Sequence, residues 1–282
     1  MNGFLKKCNK RIKIYGNFKF ILNVNNNIFK IIIRLYKQLM KYITIKYRND
    51  GFGAQFLNRI IAILYSEKHN CEYLHLPITS MEHNYNNNPD FIATAEKCMN
   101  LKDYYKSYDN QTDKLCSNID MYKEFHDNID EYVNSITMKK LKELFWKNKD
   151  RNIFVNEKIN VAIHIRRPNR HDNRILGTDT PLSYYINIIK NIIEKYKDKD
   201  LLFHIYSQGN KNQFNIFENF NINYILHLDE DVFLTFTQLV ASDILVISYS
   251  AFSYCAALLN DGTIYYIPMV HPPCSKWVIS NT

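Results

Sequence analysis

The sequence predicts an α/β protein of two domains, the C-terminal one doubly wound and Rossmann-like. Three observations carry this. Short apolar, β-branched runs alternate with helical patterns along the chain. Four or five such strand–helix units fit into about 120 residues near the C-terminus. The 282 residues give room for two domains at roughly 100–200 residues each. Residues 1–40 stand apart as a basic N-terminal extension, 41–150 as a first domain and 151–282 as a second.

The first strand is expected at Tyr42–Tyr47, rich in β-branched and aromatic residues. Arg48–Gln55 reads as a Gly-containing turn, Phe56–His69 as a helix and Cys71–Pro77 as the next strand, together a βαβ unit. Residues 79–117 are polar and poorly periodic and predict loops with short helices. Residues 118–148 turn helical, with Ile119, Tyr122, Ile129, Tyr132, Ile136, Leu141 and Phe145 as core candidates. Ile159–Ile165 is an apolar run bounded by polar residues, hence a buried strand. Thr180 and Pro181 supply a cap and a first-turn proline for a helix to about Tyr196. Leu201–Tyr206, Tyr224–Leu228, Asp243–Ser248 and Thr263–Pro268 read as strands. Helices are expected at 210–217, Val232–Ala241 and Ala251–Leu259, the last capped by Ser250.

Charge is unevenly placed. Residues 1–46 hold nine Lys, two Arg and no acidic residue, which is +11 of a net +8, so the remaining 236 residues carry −3. A slightly acidic body argues against nucleic acid as a partner. The extension lacks the ~18 consecutive apolar residues of a membrane span and the cleavage pattern of a signal peptide. Ile28–Met40 reads either as a helix packed on the body or as a basic amphipathic helix in weak peripheral contact with an anionic membrane. The six cysteines, at 8, 71, 98, 116, 255 and 274, show no CxxC spacing, which predicts free thiols in the cytoplasm.

In doubly wound sheets, ligands sit beyond the carboxyl ends of the strands. There the sequence places His164-Ile165-Arg166-Arg167, Ser207-Gln208-Gly209 and Ser248 to Ser253. Strand alternation puts His164 and Arg166 on one face, and the two arginines suit a diphosphate. Backbone N–H groups and hydroxyls at Ser250 form a second anion-binding element. In the first half, Gly51-Phe52-Gly53 follows the first strand as a phosphate or substrate loop would.

His164-Ile165-Arg166-Arg167 resembles the HxRR motif of α-1,2 and α-1,6 fucosyltransferases and of protein O-fucosyltransferases. Gly51-Phe52-Gly53-Ala54-Gln55 is similar to their opening motif, and Ala241–Ser253 to their third. The order and spacing of the three agree over roughly residues 42–270. The resemblance implies a GT-B fold of two Rossmann-like domains, an acceptor-side domain at 41–150 and a donor-nucleotide domain at 151–282. It implies GDP-fucose as donor substrate, no metal or other cofactor, inversion at the anomeric carbon and a glycan or glycoconjugate acceptor. By the same resemblance Arg166 contacts the donor diphosphate, His164 lies near the nucleoside, and Ser250, Phe252 and Ser253 line the nucleotide site.

The chain departs from the pattern in places. Pro168-Asn169 stands where many relatives have Gly-Asp, and Thr235 where α-1,6 relatives have a guanine-reading Asp. The catalytic base is Asp179, Asp172 or Asp50, ranked in favour of Asp179 because Gly177-Thr178-Asp179 is similar to a Gly-Thr-Glu of α-1,6 enzymes. Asp229-Glu230-Asp231 admits two readings. One is the DxD of a metal-dependent nucleotide-sugar transferase. The other, preferred, is acidic residues at a helix N-terminus. A catalytically silent sugar-nucleotide or glycan-binding module is the further alternative.

Overall fold

The computed structural model describes residues 42–84, 86–109, 118–167 and 179–280. The expected helix at 28–40 and the candidate base Asp172 lie outside these residues. Lys41–Thr282 packs as one compact unit.

The first half opens with β1 (Tyr42–Ile43), α1 (Phe52–Lys68) and β2 (Glu72–Tyr73), and the two strands pair in parallel. Pairing is far shorter than the apolar runs predict, because each strand leaves its partner after two residues. Thr44 and Ile45 remain buried without continuing the ladder. Helix α1 starts at Phe52, four residues before its expected start, so Gly53 lies in its first turn. Four further helices follow, α2 (Phe91–Met99), α3 (Asn118–Asp127), α4 (Ile129–Val133) and α5 (Ile136–Trp146). The helical pattern read over 118–148 is thus broken at Asn128 and again at Asn134-Ser135, where the Ser135 hydroxyl accepts the Met138 N–H at 3.1 Å. Ile136, read as core, is solvent-exposed because it is the first residue beyond that cap.

The second half is a six-stranded parallel sheet. Its elements are β3 (Ile159–His164), α6 (Leu182–Lys195), β4 (Leu201–Ser207), a 3₁₀ helix (Lys211–Asn219) and β5 (Tyr224–Leu228). Then come α7 (Val232–Ala241), β6 (Ile244–Val246), α8 (Ala251–Leu259), β7 (Thr263–Tyr266) and β8 (Val278–Ile279). The order β5-β4-β3-β6-β7-β8 is the 3-2-1-4-5-6 arrangement of a doubly wound domain. Alternation splits the strands between two cores. Ala162, Leu245 and Ile264 point toward α1, α7 and α8, whereas Val161, Ile163, Ile205 and Val246 pack with α6 and the 3₁₀ helix. β8 joins the far edge through two pairs, too brief to announce itself in sequence. Thr180 does not cap α6: Pro181 occupies the cap position, and the Thr180 hydroxyl accepts the Tyr249 N–H at 2.8 Å.

Candidate functional site

The strand order reverses between β3 and β6, so a crevice opens beyond their carboxyl ends. A cavity of about 340 Å³ lies there. The ends of β3, β4 and β5 and the N-terminal turns of α1 and α8 all contribute to its wall.

Arg166 lies just past β3, with a guanidinium N–H directed at the Ser250 hydroxyl, 3.5 Å away. Ser250 caps α8, accepting the Phe252 N–H at 3.3 Å, which leaves the helix N-terminus and the guanidinium facing one space. His164 is fixed by a 2.9 Å hydrogen bond between Nδ1 and the Ser248 hydroxyl, and its ring lies 5.4 Å from that of Phe252. Arg167 also lines the cavity, with its carbon-centred charge 6.0 Å from the Phe214 ring and its Nε buried without a hydrogen-bond partner. Ser207 and Gln208 reach the wall from β4; the Ser207 hydroxyl donates to the Ile165 carbonyl at 2.7 Å and so locks adjacent strand ends together.

Thus His164, Arg166, Arg167, Ser207, Gln208, Ser250, Phe252, Gly51 and Gly53 converge on one cavity. Ser253 does not line it. Its hydroxyl is buried behind the wall, where it accepts the Ser248 N–H at 3.2 Å. Asp179, the first-ranked base, is not in the lining either, whereas Asp50 is, paired with Arg48.

The glycine loop is organised by packing. A Cβ on Gly53 would stand 2.2 Å from the Phe252 Cα, so the glycine lets α1 meet the start of α8 backbone to backbone. Gln55 turns away from the cavity and donates to the carbonyls of Arg48, Asp50 and Ser80 at 3.2, 3.2 and 2.8 Å. Beneath it, buried Arg59 donates to the carbonyls of Gln55 and Leu76 at 2.9 and 2.8 Å. This motif therefore shapes the loop that presents Asp50 and Gly51.

The Asp229-Glu230-Asp231 run divides by role. Asp231 caps α7, its carboxylate accepting the N–H groups of Phe233 and Leu234 at 3.0 and 2.8 Å. Asp229 has left-handed backbone (φ 54°) and accepts the Gly209 N–H at 3.1 Å. Asp229 and Glu230 line the cavity; Asp231 does not. Sequence reasoning missed Glu82, His83, Tyr206, His227 and Glu230, which also form the wall. Glu230 sits between the two aspartates of the DxD reading and was overlooked for that reason. His227 carries no spacing signal, because its imidazole partner His204 comes from another strand.

No protein-family model matches the chain, and no curated protein matches it. Among solved structures it is similar to the fucosyltransferase NodZ from Bradyrhizobium, at 11% identity over 78% of this chain and 94% of that one, with a TM-score of 0.42. It is also similar to the E. coli heptosyltransferase WaaC with ADP-2-deoxy-2-fluoro heptose, at 9% identity over 86% and 93% of the chains (TM-score 0.42). A third is POFUT1 in complex with GDP, at 12% identity over 70% of this chain and 63% of that one (TM-score 0.30).

Proposed function

We propose that the chain is an inverting, metal-independent glycosyltransferase that moves fucose from GDP-fucose to a hydroxyl of a glycan or glycoconjugate. The observation that supports it is the placement of Arg166 against the Ser250-capped start of α8, inside the cavity at the reversal point of the sheet. In this reading residues 41–150 provide the acceptor side and 151–282 the donor side of a GT-B arrangement.

The donor diphosphate takes its place between the Arg166 guanidinium and the α8 N-terminus. As the sugar–phosphate bond breaks, negative charge grows on GDP, and fixed N–H donors meet it without reorganising. Arg167 adds a second cation at the rim of the same wall. The acceptor hydroxyl approaches from the α1 side, where Asp50 is the carboxylate, among the three candidates, that borders the cavity. We therefore assign it the role of general base ahead of Asp179. The +11 extension would serve a weak contact with anionic membrane surfaces. Among the described residues no helix is long and apolar enough to cross a membrane.

A panel of nucleotide sugars scored by thermal shift tests the reading, since a ligand bound to the native state raises its stability. GDP and GDP-fucose should raise the melting temperature without added metal, and UDP and CMP sugars should not. Stabilisation by UDP sugars that requires Mn²⁺ would transfer the assignment to the acidic run after β5, where Asp229 and Glu230 border the cavity. Donor binding without transfer or hydrolysis would make the chain a binding module.

A further inference from the structure

Gly51 and His83 meet on the α1 side of the cavity. The Gly51 backbone is extended, at φ −66° and ψ 160°, a conformation open to any residue. Glycine is therefore not required there by the backbone. What excludes a side chain is His83: a Cβ at position 51 would stand 2.7 Å from the imidazole Cδ2 and 3.0 Å from Nε2. His83 itself has left-handed backbone, φ 74°, which is uncommon for a residue with a side chain and gathers at functional sites. A special backbone and a missing Cβ together seat one imidazole at the start of α1, where it lines the cavity.

The segment that carries His83 is tied to the loop that carries Asp50. The Glu82 N–H donates to the Asp50 carbonyl at 3.3 Å. Gln55 Nε2 bridges the carbonyls of Asp50 and Ser80 at 3.2 and 2.8 Å. The Glu82 carboxylate lies 4.0 Å from His83 Nε2 and borders the cavity as well. Both side chains keep access to solvent, at 52% and 40% exposed. Glu82 and His83 are thus held beside the carboxylate assigned as base.

A pyranose offers a face of C–H groups and an edge of hydroxyls. The imidazole plane and the Phe91 ring, also on this wall, suit the first, and the Glu82 carboxylate accepts from the second. Charge narrows the choice. Asp50 is paired with Arg48, so Glu82 adds a further negative charge on this side, while Arg166 and Arg167 face the donor diphosphate. A like charge at about 4 Å in water-like surroundings weakens binding about fivefold. We infer that His83, seated on Gly51, and Glu82 select the acceptor: they position a neutral sugar beside Asp50 and turn away an acidic one. This rests on the nucleotide-sugar reading above and names the residues that choose its acceptor.

The test uses the purified full chain with saturating GDP and ligand-detected NMR. The probes are the methyl glycosides of glucose, galactose and mannose, N-acetylglucosamine, and glucuronate. At least one neutral sugar should bind, and glucuronate should bind about fivefold or more weakly than it. His83→Ala should weaken the neutral sugar about tenfold and leave the calorimetric Kd of GDP unchanged. Glu82→Gln should narrow the gap between neutral sugar and glucuronate. Gly51→Ala keeps both side chains but displaces the ring, so it should act like His83→Ala, and the two changes together should be no worse than either alone. If Gly51→Ala does not fold, His83→Ala and Glu82→Gln decide. Absence of neutral-sugar binding, equal binding of glucuronate, indifference to His83→Ala, or additive losses in the double variant overturns the inference. If GDP binds through Arg166 while sugar binding ignores His83, only this inference falls. If GDP does not bind, or binds independently of Arg166, the proposed function falls with it.

Discussion

The guanidinium of Arg166 stands where a parallel sheet leaves its strand-end groups open, and it shares that space with a helix N-terminus. In the proposed transfer, two donors of different origin, a side chain and a helix end, would bear on one developing charge. Arg166→Ala should lower the transfer rate by about two to three orders of magnitude, or about 3–4 kcal/mol of transition-state stabilisation. Arg166→Lys keeps the charge but loses the planar fork and should be impaired as well. Since Arg166 is only partly buried at a strand end, the melting temperature without ligand should hardly change. Near wild-type transfer by the alanine variant, or a collapse of its fold, would remove the arginine from the chemistry.

Helices α1 and α8 meet through a contact that a single methyl group would destroy. Gly53 faces the backbone of Phe252 and Ala251, and neither can yield as a flexible side chain would. Around this contact Phe52 packs edge-on against Phe233 and Phe236, with ring centroids 5.2 and 5.0 Å apart. Gly53→Ala should therefore separate the two helices and cost about 1–3 kcal/mol, as overpacking does elsewhere. A drop in the urea midpoint together with weaker donor binding is expected, because the start of α8 is itself a wall of the cavity. A variant as stable as the wild type would show that α1 can shift at no cost.

Over the whole of the compact unit, one buried and two half-buried histidines link stability to pH. His204 and His271 are each held down to about 4, by burial and then by a neighbouring histidine, and His126 is lowered chiefly by burial. Histidine in the unfolded chain titrates near 6.5. Between about pH 6.5 and 4 the unfolded chain binds more protons than the folded one, so stability is full above this window and declines as pH falls through it. Glu96 acts in the same direction at lower pH: despite its burial, hydrogen bonds from His75 and the Ile78 N–H hold its carboxyl below the usual range. Urea midpoints at pH 7.5 and pH 5 check this, and the second should be clearly lower. Equal midpoints would mean that the histidine rings take up protons without unfolding.

Local pattern was enough to read most of the doubly wound half. Buried strands such as Ile159–His164 and the helix capped by Ser250 are written in runs of neighbouring residues, and the placing of His164 and Arg166 on one face follows from alternation. That legibility fails wherever the deciding partner is distant in the chain. The first strand shrinks to two paired residues because its partner β2 diverges, and Thr180 spends its hydroxyl on Tyr249, 69 residues away, instead of capping its own helix. Ser253, placed at the ligand from its position in a motif, is turned inward by the Ser248 backbone. Most of all, His204, His227 and Glu230 look unremarkable in sequence. Only parallel pairing of β4 with β5 lays one imidazole against the other and brings the contact between His227 and Glu230 to the cavity wall. Periodicity records which side of an element is buried, whereas a site is a meeting of side chains from several elements, and strand order in the folded sheet decides that meeting.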